Sequence, residues 1–105
     1  MSLAEENAQV LHLVQAMVGA VSPNLRWVTL AVPTAGAVHL RFVLEEDRSE
    51  DREEIGHVVF EFEAFQAGPI ALDVEIIVDR RAVEELQLPG RFVYGRKEHG
   101  WTDDD

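Results

Sequence analysis

The amino-acid sequence predicts an α+β fold: a two-layer sandwich of order αββαββ, with a four-stranded, mainly antiparallel sheet covered by two helices. Three observations carry the prediction. The chain has 105 residues, which suits one domain over residues 1–105. Two segments repeat apolar residues at spacings of three and four, and four shorter ones are rich in β-formers or alternate. Hydrophobic residues make up 47% and charged residues 28%, enough apolar surface to pack a core.

The elements follow in order. Leu3 to Ala20 reads as a helix, with Leu3, Asn7, Val10, Leu11, Val14, Met17, Val18 and Val21 on its apolar stripe. Ser2 and Glu5 form a candidate capping box, and Gly19 with Ser22-Pro23-Asn24 supplies the stop. Leu25 to Val32 is a strand. Pro33-Thr34-Ala35-Gly36 turns the chain into a second strand, Ala37 to Leu44, whose Val38, Leu40, Phe42 and Leu44 alternate with His39 and Arg41.

The charge run from Glu45 to Glu54 leads into a second helix that extends to about Gln66. Asp47 with Glu50, or Ser49, can cap it. Ile55, Val58, Val59, Phe62 and Phe65 form its apolar stripe. The alternating Phe60-Glu61-Phe62-Glu63 is strand-like, but the whole pattern is too long for a typical strand. Ala67-Gly68-Pro69 ends the helix. Ile70 to Val78 is a third strand, with Leu72, Val74, Ile76 and Val78 inward. A connection from Asp79 to Gly90 leads to a short edge strand, Arg91 to Lys97, and the tail at about 99–105 is expected to fray.

Charge narrows the classes of partner. There are 20 acidic and 9 basic residues, a net charge of −11. Nucleic acid and anionic membrane would both be repelled. The sequence contains no cysteine, which excludes disulfides, thiolate metal sites and cysteine nucleophiles. No run is apolar enough for a membrane span. The N-terminal residues lack the pattern of a signal peptide, and a cytoplasmic location is expected.

The negative charge is concentrated. Residues 1–44 are neutral overall, residues 45–63 carry a net −7, and residues 64–105 a net −4. At 100° per residue, Glu50, Glu53, Glu54, His57 and Glu61 fall on the side of the second helix opposite its apolar stripe. Phe60 falls among them. An aromatic set amid carboxylates is the pattern of an interface anchor. These six residues are the candidate partner-binding site, and the bland alternative is an ordinary solvated face.

Other chemistry finds little support. Glu50, Glu54, His57 and Glu61 share a face but have no second element to complete a metal site. His12, His39, His57 and His99 show no metal-ligand spacing. No serine sits in a nucleophile elbow, and no phosphate-binding glycine loop is present. No catalytic residue, metal or cofactor is expected. A basic group near the end (Arg80, Arg81, Arg91, Arg96 and Lys97) is interleaved with acids. Internal pairing is expected there, with contact to the acidic helix of a second copy, a possible homodimer, as the alternative.

Three stretches carry a resemblance. Val21-Ser22-Pro23-Asn24-Leu25-Arg26 follows the first helix, Ser49-Glu50-Asp51-Arg52-Glu53 begins the second, and Gly90-Arg91-Phe92-Val93-Tyr94-Gly95-Arg96-Lys97-Glu98 forms the closing strand. In this order, over nearly the whole chain, they resemble a family of small acidic bacterial proteins related to immunity proteins of colicin-like and contact-dependent inhibition systems. The chain departs from that pattern at Leu44-Glu45-Glu46-Asp47-Arg48, where an acid–aromatic–glycine turn is expected. The resemblance implies a non-catalytic protein that neutralises a cognate toxin domain, and the acidity of the chain suits a basic one. The competing expectations are a self-associating structural or regulatory module and, behind it, an enzyme with an acidic site.

Overall fold

A computed structural model describes residues 3–82, 85–86 and 89–97. Six elements occur in it: α1 (Leu3–Ala16), β1 (Leu25–Ala31), β2 (Ala37–Leu44), α2 (Ser49–Ala64), β3 (Ala71–Val78) and β4 (Arg91–Gly95). Ser2, His99 and the expected frayed tail lie outside the described residues. No described helix is long and apolar enough to cross a membrane.

The four strands form one sheet in the order β3-β2-β1-β4. β1 pairs antiparallel with both β2 and β4. β3 pairs parallel with β2, in unbroken register from Ala37↔Ala71 to Leu44↔Val78. The sheet is therefore mixed, and this corrects the antiparallel expectation at one of three pairings. The cause is the length of α2. Its 16 residues span about 24 Å, close to the roughly 26 Å of an eight-residue strand. The helix returns the chain to the start of β2, so β3 runs in the same direction. This is a β-α-β crossover rather than a hairpin.

The core lies between the helices and one face of the sheet. Leu13, Ala16 and Met17 from the first helical segment and Ile55, Val58 and Phe62 from α2 pack on Val28, Leu30, Val38, Leu40, Phe42 and Leu44. The alternation read for β2 is thus observed. In β3, Val74 and Val78 keep to the helix side by register but remain 36% and 43% exposed, because β3 is an edge strand.

α1 departs most from expectation. It ends at Ala16 and tapers through turns over Met17–Ala20. Its buried stripe runs through Val10, Leu13, Ala16 and Met17. Leu3, Leu11, Val14, Val18 and Val21, all read as core-facing, are exposed. The helix has two apolar sides, and the sheet covers the one that carries Leu13 and Ala16.

The start of α2 also differs. Arg48 occupies the N-cap position in an extended conformation, with no side-chain cap. The Asp47 carboxylate instead accepts a hydrogen bond from Arg52 Nε at 2.6 Å. Both groups in this bond are ionised, whereas in a capping bond to a backbone amide only the carboxylate would be.

The far face of the sheet carries the polar partners of the alternation. Arg41 Nε donates to Glu75 at 2.8 Å, and His39 stands 3.5 Å from Glu75 and 3.7 Å from Asp73. Trp27 and Phe92 meet edge to face at 5.1 Å. Gly90 opens β4 at φ +101°, and an added Cβ would lie 3.0 Å from the Leu30 carbonyl oxygen. Glycine is required there for both conformation and space.

Candidate functional site

α2 presents the six expected residues together. Ile55, Val58 and Phe62 turn the opposite side into the core, and helical periodicity then turns Glu50, Glu53, Glu54, His57, Phe60 and Glu61 outward. All six are exposed. Phe60 is 72% exposed and Phe62, two residues on, is fully buried. The two phenylalanines of the Phe-Glu-Phe run therefore have opposite fates, as helical spacing requires and strand spacing does not.

The nearby cations are already engaged. Arg52 pairs with Asp47 at 2.6 Å and Arg48 with Glu46 at 2.9 Å. Glu46 also receives Arg80 at 2.8 Å. The hydrogen bond from Arg48, and then the fields of Arg48 and Arg80, hold the Glu46 carboxyl below its ordinary pKa. Glu53, Glu54 and Glu61 make no ion pair with a described cation. The outer face of α2 thus keeps an uncompensated negative field around an exposed aromatic ring.

A second feature joins the three stretches that carried the resemblance. Ser22, Pro23, Asn24, Glu45, Glu46, Arg48, Asp51 and Arg96 line a cleft of about 300 Å³. Asp51, in the first turn of α2, accepts from Ser22 Oγ at 2.7 Å and from Asn24 Nδ2 at 2.8 Å. A carboxylate in this turn also suits the helix dipole. Asn24 is nearly buried. Its Nδ2 donates to the Glu46 carbonyl at 2.7 Å, and its Oδ1 accepts from the Glu46 amide at 2.9 Å. Arg96, just after β4, donates to Glu45 at 2.7 Å and to the Pro23 carbonyl.

By sequence alone Ser22 and Asn24 read as part of a turn and Arg96 as part of an edge strand, and only the fold brings them to Asp51. The segment in which the chain departs from the family pattern, Leu44 to Arg48, supplies Glu45, Glu46 and Arg48 to the lining of the cleft. Chemically the cleft is a latch. Its polar groups bind one another, and Ser22 donates to a carboxylate with no histidine among the lining residues. A nucleophilic serine needs a base placed to take its proton.

Of the basic group near the end, Arg80, Arg81, Arg91 and Arg96 are paired internally. Besides Arg80 and Arg96, Arg81 meets Asp79 at 2.7 Å and Arg91 meets Glu6 at 3.6 Å. Hydrogen bonds from the Arg81 side chain, and then the one from its backbone amide, lower the Asp79 carboxyl to about 2. His12 packs on Phe62 and Phe65 with ring centroids 6.5 and 6.0 Å away, an ordinary boundary position. Among the described residues no group of three or more His, Asp or Glu side chains is gathered as a metal site.

No curated protein matches the chain. The family model for MafI2 immunity proteins matches residues 6–98. That span holds both helices' core-facing residues, all four strands, the latch and the acidic face of α2. With this much of its length matched, the chain belongs to the MafI2 immunity protein family.

Proposed function

We propose that this protein is a non-catalytic immunity protein that binds and neutralises a cognate toxin domain in the cytoplasm. Membership in the MafI2 immunity family supports the toxin-neutralising role. The acidic outer face of α2 is the contact surface in this reading, with Glu50, Glu53, Glu54, His57, Phe60 and Glu61 as the binding residues. The observation that carries it is Phe60, 72% exposed beside Glu53, Glu54 and Glu61, none of which is ion-paired with a described cation.

The physics is that of a steered interface. Carboxylates attract a basic cleft and speed encounter. A buried aromatic at the centre then slows dissociation. The partner is a basic protein domain, and neither nucleic acid nor membrane is a partner for a surface of this sign.

The test is protection of a toxin-expressing cell. Wild-type protein should restore growth, and the Glu53→Lys/Glu54→Lys variant should not, although both accumulate as folded protein. Equal protection by the two would place the interface elsewhere.

A further inference from the structure

The first helical segment carries an apolar surface that neither the core nor the acidic face explains. Leu3, Leu11 and Val14 on α1, with Val18 and Val21 just after it, are 68%, 68%, 46%, 77% and 44% exposed. At 100° per residue Leu3, Asn7, Leu11 and Val14 of α1 fall within a sector about 80° wide. The buried residues Leu13 and Ala16 point away from that sector. Within α1 the exposed positions 7, 11 and 14 are spaced four and three residues apart, and Val18 and Val21 extend the patch beyond the helix. That is the spacing by which one helix seats against another. The seam continues into a groove of about 260 Å³ between this segment and β4, where Met17, Val93 and Tyr94 join it.

Charge selects the occupant. From Asn7 to Leu25 the chain has no Asp, Glu, Lys or Arg. Glu6, which borders the seam, is paired with Arg91. The whole chain carries −11, so two copies repel one another over most of their surfaces. Here they can meet without opposing carboxylates. A basic partner gains nothing electrostatic from a neutral surface. A contiguous apolar patch on an otherwise strongly charged domain marks a contact site.

We propose that this seam is the two-fold interface of a homodimer, with the Leu11–Val14–Val18 seam of one copy set against the same residues of the other. A two-fold contact is self-complementary by construction, which an uncharged apolar seam satisfies. The interface uses none of the α2 residues assigned to the toxin and stands independently of that assignment.

The sign of the salt dependence separates this interface from an ion-paired one. Apolar association of two like-charged bodies strengthens as salt screens their repulsion. Association of the basic terminal group with the acidic helix of a second copy would weaken.

The experiment is sedimentation equilibrium of the wild-type protein over a range of concentrations at low and high salt. The expected result is a species near twice the 11.8 kDa chain mass, more populated at high salt. Leu11→Glu/Val18→Glu should weaken self-association by roughly tenfold or more with an unchanged circular dichroism melt, since both side chains are exposed. The milder Leu11→Gln should weaken it in part, and Phe60→Ala should leave it intact. A wild-type monomer at every concentration would overturn the proposal. So would a dimer that survives Leu11→Glu/Val18→Glu, or one that salt dissolves.

Discussion

Asn24 and Asp51 are 27 positions apart in sequence and 2.8 Å apart in space. Their bond ties the start of β1 to the first turn of α2, and Ser22 adds a second tie at 2.7 Å. The position of α2, and with it the direction of its acidic face, is set at this point. A double-mutant cycle measures the tie. Asn24→Ala should cost about 2–3 kcal/mol, because it also leaves the Glu46 amide without its partner. Asp51→Ala should cost about 1–2 kcal/mol. The double mutant should cost less than the sum by about 0.5 kcal/mol or more. Strict additivity in urea denaturation would show that the two side chains do not act together.

The two phenylalanines of the Phe60-Glu61-Phe62 run should separate stability from binding. Phe62→Ala removes a fully buried ring and should destabilise the fold by about 3–5 kcal/mol. Phe60→Ala should change stability by less than about 0.5 kcal/mol while weakening the toxin complex. Thermal melts and binding isotherms on the same two variants check both halves.

Acid sensitivity should depend on Arg81. Its side-chain bond, then its backbone bond, lowers the Asp79 carboxyl from 3.8 to about 2. A carboxylate with a depressed folded pKa stabilises the protein above its unfolded value. That contribution is lost as pH falls through the folded value. The loss should therefore run from just under pH 4 to about pH 2. Arg81→Leu should flatten the stability–pH curve in this window and leave its shape above pH 5 unchanged. A curve identical to wild type between pH 4 and 2 would contradict the linkage.

Gly90 should resist substitution. Its φ of +101° and the 3.0 Å approach to the Leu30 carbonyl act together. Gly90→Ala should cost about 1–3 kcal/mol. Gly56, within α2, meets nothing within 4 Å of a built Cβ. Gly56→Ala should stabilise by about 0.5–1 kcal/mol. Opposite shifts in melting temperature are the expected pair of outcomes.

The legible parts of the structure are those in which one periodicity dominates. β2 alternates cleanly, and α2 sets Ile55, Val58 and Phe62 against a carboxylate face, so their sidedness is written in the spacing. α1 is less legible because Leu11, Val14 and Val18 compete with Leu13 and Ala16. Periodicity alone does not choose between two apolar sides, and only the sheet does. The parallel pairing of β3 was hidden for a different reason. It follows from matching the length of α2 to that of β2, a relation between elements rather than a pattern within one. The six candidate residues were legible as a shared face. The Asn24–Asp51 latch was not, because its members serve local roles equally well and their partnership is long-range.

The most direct test of the toxin-binding reading is the affinity of the purified toxin domain for wild-type protein and for Glu53→Lys/Glu54→Lys, measured across a salt series. The predicted result is a wild-type complex that weakens as salt rises, and a variant whose binding falls by roughly a hundredfold or more at low salt while its melting curve is unchanged. Equal affinity for the two proteins, or a wild-type affinity indifferent to salt, would contradict the assignment of the acidic face of α2 to the toxin.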